Sequence, residues 1–158
     1  MKINLPLLLI LFLFWGQSWS QSTETFETES IGSTIFTDNG QQFQIISQAP
    51  AVFDVYFYSG GGWSGTGSDN RFIDNSTTSF FNTPVQFHIV AVGGNTFTLK
   101  SLYLFLSQSN LNLNVNGSLT ITGKLGGVQK FNLSANPPFN TSMSVNNGFT
   151  FIDLANFR

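Results

Sequence analysis

Leu111, Leu113 and Val115 alternate with Asn110, Asn112, Asn114 and Asn116, and a period of two of this kind, repeated along the chain, dictates strands. Successive side chains on an extended backbone point to opposite faces, so one face of such a segment is apolar and the other wet. Phe53, Val55 and Phe57 alternate in the same way with Asp54, Tyr56 and Tyr58, and Val85, Phe87 and Ile89 with Gln86 and His88. Leu119 and Ile121 stand beside Thr120 and Thr122. No window after residue 20 sustains an i, i+3, i+4, i+7 apolar stripe with caps, so helices are not expected. Leu-Tyr-Leu-Phe-Leu at 102–106 is apolar at every position, as in a strand covered on both faces. Phe97 and Leu99 share a parity that Leu102 and Leu104 do not, which predicts a β-bulge at Lys100-Ser101.

Turn chemistry divides these runs at Asn39-Gly40, Gly93-Gly94, Asn116-Gly117, Gly126-Gly127 and Asn147-Gly148. Strands are therefore predicted near 23–28, 34–37, 42–48, 51–58, 79–81, 85–92, 96–107, 111–123, 128–134, 142–146 and 149–153. The segment 96–107 is expected to fold back on 85–92 as a hairpin about Gly93-Gly94-Asn95. Many short antiparallel strands joined by Gly and Asn turns point to an all-β, two-sheet sandwich of jelly-roll type.

The first twenty residues stand apart. Lys2 is followed by an apolar stretch at 5–15, too short to span a bilayer, and Ser18-Trp19-Ser20 places small residues as a cleavage site requires. Residues 1–20 read as an export signal and 21–158 as one domain, secreted or at the cell surface. The chain of 158 residues has no cysteine. Export without disulfides suits a bacterial envelope or extracellular protein.

Charge is sparse, with six basic and eight acidic residues, and Lys100, Lys124 and Lys130 are scattered. Nucleic acid is excluded as a partner because no basic patch exists to neutralise phosphates. No apolar stretch after Gln21 is long enough for a transmembrane helix. A surface built from Asn, Ser, Thr, Gln and Gly suits neutral polar partners, such as a glycan or a cell-surface polysaccharide.

Phe97-Thr98-Leu99-Lys100-Ser101-Leu102, then Leu119-Thr120-Ile121-Thr122-Gly123, then Phe151-Ile152-Asp153-Leu154, resemble the lectin-like jelly-roll modules of exported Bacteroidetes-type proteins. The resemblance extends from Phe26 onward and implies a galactose-binding-like or carbohydrate-binding sandwich. Modules of that kind carry one more strand after the Ile-Asp-Leu segment, which leaves the expected sandwich a strand short at Arg158. The same likeness suggests a metal site joining Glu27 to Asp153.

Residues 59–76 interrupt the rhythm with a long, glycine-rich polar stretch, and loops of that length usually bear function. Trp63, the only tryptophan after residue 20, offers a flat face to a sugar ring, with Asp69, Asn70 and Arg71 to bond its hydroxyls. The bland alternative is that Trp63 folds back as a plug on the sandwich edge. Asp69, Asn70 and Asp74, with Asn75 beside them, also supply oxygen ligands of the kind calcium takes, although Asx residues make turns equally well. A third candidate is a polar-aromatic platform of Tyr56 and Tyr58, on the face of Asp54, with Gln86 and His88, formed if their strands share a sheet; the alternative is an ordinary outer face covered by a loop.

Catalysis has little support in the residues. His88 is the sole histidine, and Gly62-Trp63-Ser64-Gly65 has the wrong spacing for a nucleophile elbow. Zinc is disfavoured with one His and no Cys. A glycosidase would need two facing carboxylates, for which Asp69 and Asp74 lie in an unsupported loop. The expectation is a non-catalytic carbohydrate-binding or adhesion module. A structural spacer of a surface protein, or the remnant of a polysaccharide hydrolase or lyase, is the alternative.

Overall fold

The computed structural model describes residues 21–64, 69–75, 84–108, 111–136 and 138–155. The export signal read at 1–20 and the strand predicted at 79–81 lie outside them. The fold is all-β and antiparallel, with nine strands among the described residues: β1 (Ile35–Asp38), β2 (Gln41–Ser47), β3 (Asp54–Phe57), β4 (Arg71–Asp74), β5 (Phe87–Ala91), β6 (Ser101–Leu104), β7 (Leu119–Leu125), β8 (Val128–Ala135) and β9 (Thr150–Asp153). They form one three-stranded sheet, β1-β2-β5, and the pairs β3-β4, β6-β9 and β7-β8.

Two of the turns follow directly from their residues. Asp38 pairs with Gln41 and Leu125 with Val128, so Asn39-Gly40 and Gly126-Gly127 are two-residue hairpin loops. All four residues have positive φ (48° and 77°, then 57° and 78°), the backbone that matches the twist of the flanking strands.

The alternation read in the sequence sets which side chains are buried. From β2, Phe43 and Ile45 turn inward; from the segment leading through β3, Phe53 and Val55 do the same; Phe36, Ala51 and Ala91 complete this core. Phe26, Ile73 and Ile89 pack on its rim. Sheets β1-β2-β5 and β3-β4 thus share one apolar filling. A second filling lies between β7-β8 and β6-β9, from Leu133, Ile152 and Leu154 with Leu102, Leu104, Leu119, Ile121 and Phe131 around them. Ring contacts tie the halves together: Phe43 meets Phe97 edge-on at 5.1 Å, and Phe72 meets Phe149 at 5.8 Å.

Several local expectations give way to tertiary pairing. Residues 96–107 do not fold back on 85–92: β5 pairs with β2, and β6 pairs with β9. The predicted long loop is shorter than read, because Arg71-Phe72-Ile73-Asp74 forms β4 against β3. No strand forms at 23–28 or at 142–146. At 111–116 the predicted alternation holds in part, with Leu113 buried and Asn112 and Asn114 exposed, but Leu111, expected on the apolar face, is 46% exposed; among the described residues a bridge from Gln108 to Asn112 joins it to a neighbour. Leu111 there sits at φ 56°, a left-handed backbone that ends any extended run. The phase slip at Lys100-Ser101 marks the start of β6 rather than a bulge; the register shift of the fold lies between Gly123 and Lys124 in β7.

Candidate functional site

The stretch after β3 folds into a tight turn stapled at several points. Tyr58 N–H donates to the Asn70 carbonyl at 3.1 Å, and Gly61 N–H to the Tyr58 carbonyl at 2.9 Å. Gly60 and Gly62 adopt φ 73° and 139°, conformations that a side chain would resist. Asn147, itself at φ 50°, donates its amide to the Gly62 carbonyl at 2.9 Å and to the Gly60 carbonyl at 3.4 Å. A distant segment therefore holds this turn by two side-chain hydrogen bonds.

Trp63 follows the turn and is half-buried. Its ring stacks on Tyr103 with centroids 4.4 Å apart and planes 21° from parallel. Tyr103 stands directly opposite Phe151 across β6-β9, and those two rings lie 5.1 Å apart. The result is a row of three aromatic rings, Trp63, Tyr103 and Phe151, whose last member is 51% exposed. One face of Trp63 is taken by Tyr103, so the side chain packs against β6, as the plug reading had it, and stands at the head of an aromatic row. Neither Tyr103 nor Phe151 was legible as a partner. The signal available was their parity, opposite to that of the core residues Leu102, Leu104 and Ile152.

Asp69 is buried at 3% exposure. Its Oδ2 accepts from the Ser64 N–H at 2.5 Å, and its Oδ1 has no hydrogen-bond partner. Arg71 donates its backbone N–H to Glu27 Oε1 at 2.9 Å and its Nη1 to the Glu29 carbonyl; its Nε is buried without a partner. Asn70 is half-buried and uses its carbonyl in the β3-β4 pairing.

The proposed calcium set does not assemble. Asp69 lies at the bend before β4 and spends one oxygen on the Ser64 N–H, whereas Asp74 is the last residue of β4. Asp74 instead stands directly opposite Asp54. Among the described residues no group of three His, Cys, Asp or Glu side chains is placed to hold a metal ion. Glu27 is engaged by Arg71, and Asp153 Oδ1 accepts from the Ala155 N–H at 2.8 Å.

The Tyr/His platform is not formed either, because its strands lie in different sheets. Tyr56 and Tyr58 belong with β3, where Tyr56 pairs with Phe72; His88 is on β5, opposite Ile46, and contacts the Gln48 amide at 3.0 Å. Tyr58 is 48% exposed and Tyr56 half-buried. The outer face of β3-β4 thus presents Asp54, Asp74, Tyr56 and Phe72 together. The Asp54 carboxyl is raised above its ordinary range, first by desolvation and then by the charge of Asp74. Glu24 is raised too, chiefly by burial, with Asp38 and Glu29 adding to it and the Phe26 N–H opposing it.

What fold and site define together is an antiparallel all-β protein with a row of aromatic rings at Trp63, Tyr103 and Phe151. No family model, curated protein or solved structure matches the chain.

Proposed function

We propose that this chain is an exported, non-catalytic module that binds carbohydrate at the cell surface or outside the cell, its sheets layered as a jelly-roll sandwich. The observation behind this reading is the Trp63–Tyr103–Phe151 row, which runs from a polar, glycine-rich turn to an exposed ring. Aromatic faces of this kind stack on the apolar side of a sugar ring, and the weak charge of the surrounding surface favours a neutral polar ligand. The export signal at 1–20 supplies the compartment in which glycans are met.

The structural-spacer reading draws on the same contact, since Trp63 stacked on Tyr103 also plugs the sheet. A glycan array probed with residues 21–158 separates the two. Binding that disappears in Trp63→Ala supports the aromatic row; binding undiminished in that variant moves the site to the Tyr56/Tyr58 face. An array without signal leaves the spacer. Release of reducing sugar by the purified protein, lost in Asp54→Asn and Asp74→Asn, would turn the reading to a hydrolase, because these are the carboxylates that face each other.

A further inference from the structure

An asparagine followed by glycine carries its own nucleophile. The glycine nitrogen, unhindered by a side chain, can reach the amide carbon of the asparagine and close a five-membered ring, provided the backbone is free to turn. The chain has three such pairs, Asn39-Gly40, Asn116-Gly117 and Asn147-Gly148. Asn39-Gly40 is the loop of the β1-β2 hairpin, clamped by the pairing of Asp38 with Gln41 and held at φ 48° and 77°. Asn147-Gly148 is fixed more firmly. The Asn147 amide donates to the Gly62 carbonyl at 2.9 Å, the Gly148 N–H donates to the Val145 carbonyl at 2.8 Å, and Gly148 is buried. Asn116-Gly117, although of turn type by its residues, lies in neither a turn nor a strand, and Asn116 is exposed. Neither residue is held at a positive φ, and among the described residues no hydrogen bond engages the Asn116 amide or the Gly117 N–H.

We propose that Asn116-Gly117 is a site of spontaneous covalent modification, at which the asparagine is converted to aspartate and isoaspartate. The Gly117 nitrogen attacks Asn116 Cγ. A nitrogen–carbon bond forms, the Cγ–Nδ2 bond breaks, and ammonia departs with the proton that the Gly117 nitrogen gives up. Water then opens the cyclic imide. Addition at Cγ yields aspartate; addition at the backbone carbonyl carbon yields isoaspartate, with the chain now running through the former side chain. Nothing is oxidised or reduced, and solvent is the only co-reactant. Hydroxide assists by removing the Gly117 proton, so the rate rises with pH.

The fold sets both the order of reaction and its consequence. For Asn147 to react, its bond to Gly62 and the bond from Gly148 to Val145 must first be given up, which slows the step by about 30-fold or more relative to Asn116. Either product places a new negative charge on an exposed position. Isoaspartate also adds a carbon to the backbone just ahead of β7, which begins at Leu119. Gly117 is closely approached there: a Cβ on it would fall 2.4 Å from Leu106 Cδ2 and 3.6 Å from Phe139 Cε2. The lengthened chain therefore pushes on Leu106 and on the first pair of the β7-β8 ladder, Leu119 with Ala135.

Purified residues 21–158 are incubated at neutral and mildly alkaline pH, folded and in urea, and sampled over days. Trypsin, cutting after Arg71, Lys100, Lys124 and Lys130, puts the three pairs on separate peptides. Mass spectrometry reads the amide-to-acid gain residue by residue, and electron-transfer fragmentation tells isoaspartate from aspartate. In the folded protein Asn116 should convert first, to both products and faster at the higher pH, with Asn39 slower and Asn147 slower by about 30-fold or more. In urea the three rates should converge. Asn116→Gln, whose ring would be one atom larger, should lose the early charge change while keeping the strand signal in circular dichroism. Asn39 or Asn147 converting as fast as Asn116 in the folded protein would overturn the assignment. So would an Asn116 that converts in urea and stays intact when folded. Aspartate as the sole product would overturn the ring route in favour of direct hydrolysis.

Discussion

Asp54 and Asp74 stand directly opposite each other across the β3-β4 pair, two carboxylates on one face of a two-stranded sheet. Like charges in that position oppose pairing. The Asp54 carboxyl is accordingly raised from its ordinary value of 3.8, by desolvation first and Asp74 second. A raised carboxyl binds its proton more tightly in the folded than in the unfolded chain. Its contribution to stability is therefore complete below 3.8 and is lost as the pH rises through the folded-state value. Asp54→Asn should raise the melting temperature at neutral pH, and the gain should vanish in acid. Asp74→Asn removes the charge that adds to the Asp54 rise, so the double variant should gain less than the sum of the two single changes. Thermal melts of the four proteins at two pH values check this.

Gly62→Ala tests whether the turn is as close to Asp69 as the structure places it. The added carbon would meet a backbone oxygen and a buried carboxylate, and φ 139° is costly for alanine. A loss of about 1–3 kcal/mol is expected, with a change in Trp63 emission as the stack on Tyr103 opens. Urea unfolding followed by fluorescence reads both.

Asn147→Ala should loosen the same turn from the other side. It removes the amide that holds the Gly60 and Gly62 carbonyls and places alanine at φ 50°. A cost of about 1–2 kcal/mol is expected, of which Asn147→Gly should recover only the backbone share. Faster amide exchange across residues 60–64 in both variants would identify the hydrogen bonds as the cause.

Val55 is fully buried in the first core, and Val128 is 59% exposed at the β7-β8 hairpin. Val55→Ala should cost about 2–3 kcal/mol through lost transfer energy and the cavity left behind. Val128→Ala should stay within about 0.5 kcal/mol. Comparable losses from both in denaturant titrations would mean that the core has been misplaced.

The strand class, the inward set Phe43, Ile45, Phe53 and Val55, and the hairpins at Asn39-Gly40 and Gly126-Gly127 are local properties. Alternation assigns faces, and positive-φ residues assign two-residue turns, without reference to the rest of the molecule. Partner choice is not local. β5 turns away from β6 and joins β2, because pairing there buries Ala91 beside Phe43 and Ile45, and no periodicity encodes that preference. β4 is not legible in the sequence for a related reason: Phe72-Ile73 is a short apolar run flanked by polar residues, and it becomes a strand only against β3.

The site divides the same way. A glycine-rich stretch bearing Trp63, Asp69 and Arg71 announces itself in composition, so its residues could be named from the chain alone. Where they point could not. Stacking of Trp63 on Tyr103, the latch by Asn147 and the burial of Asp69 join segments tens of residues apart, and only packing brings such groups to within a few ångströms. Sequence by itself determined which residues could extend, turn or hide from water; tertiary structure decided which of them meet. The physical reason is that backbone preference acts over a few residues, whereas burial is shared by the whole chain.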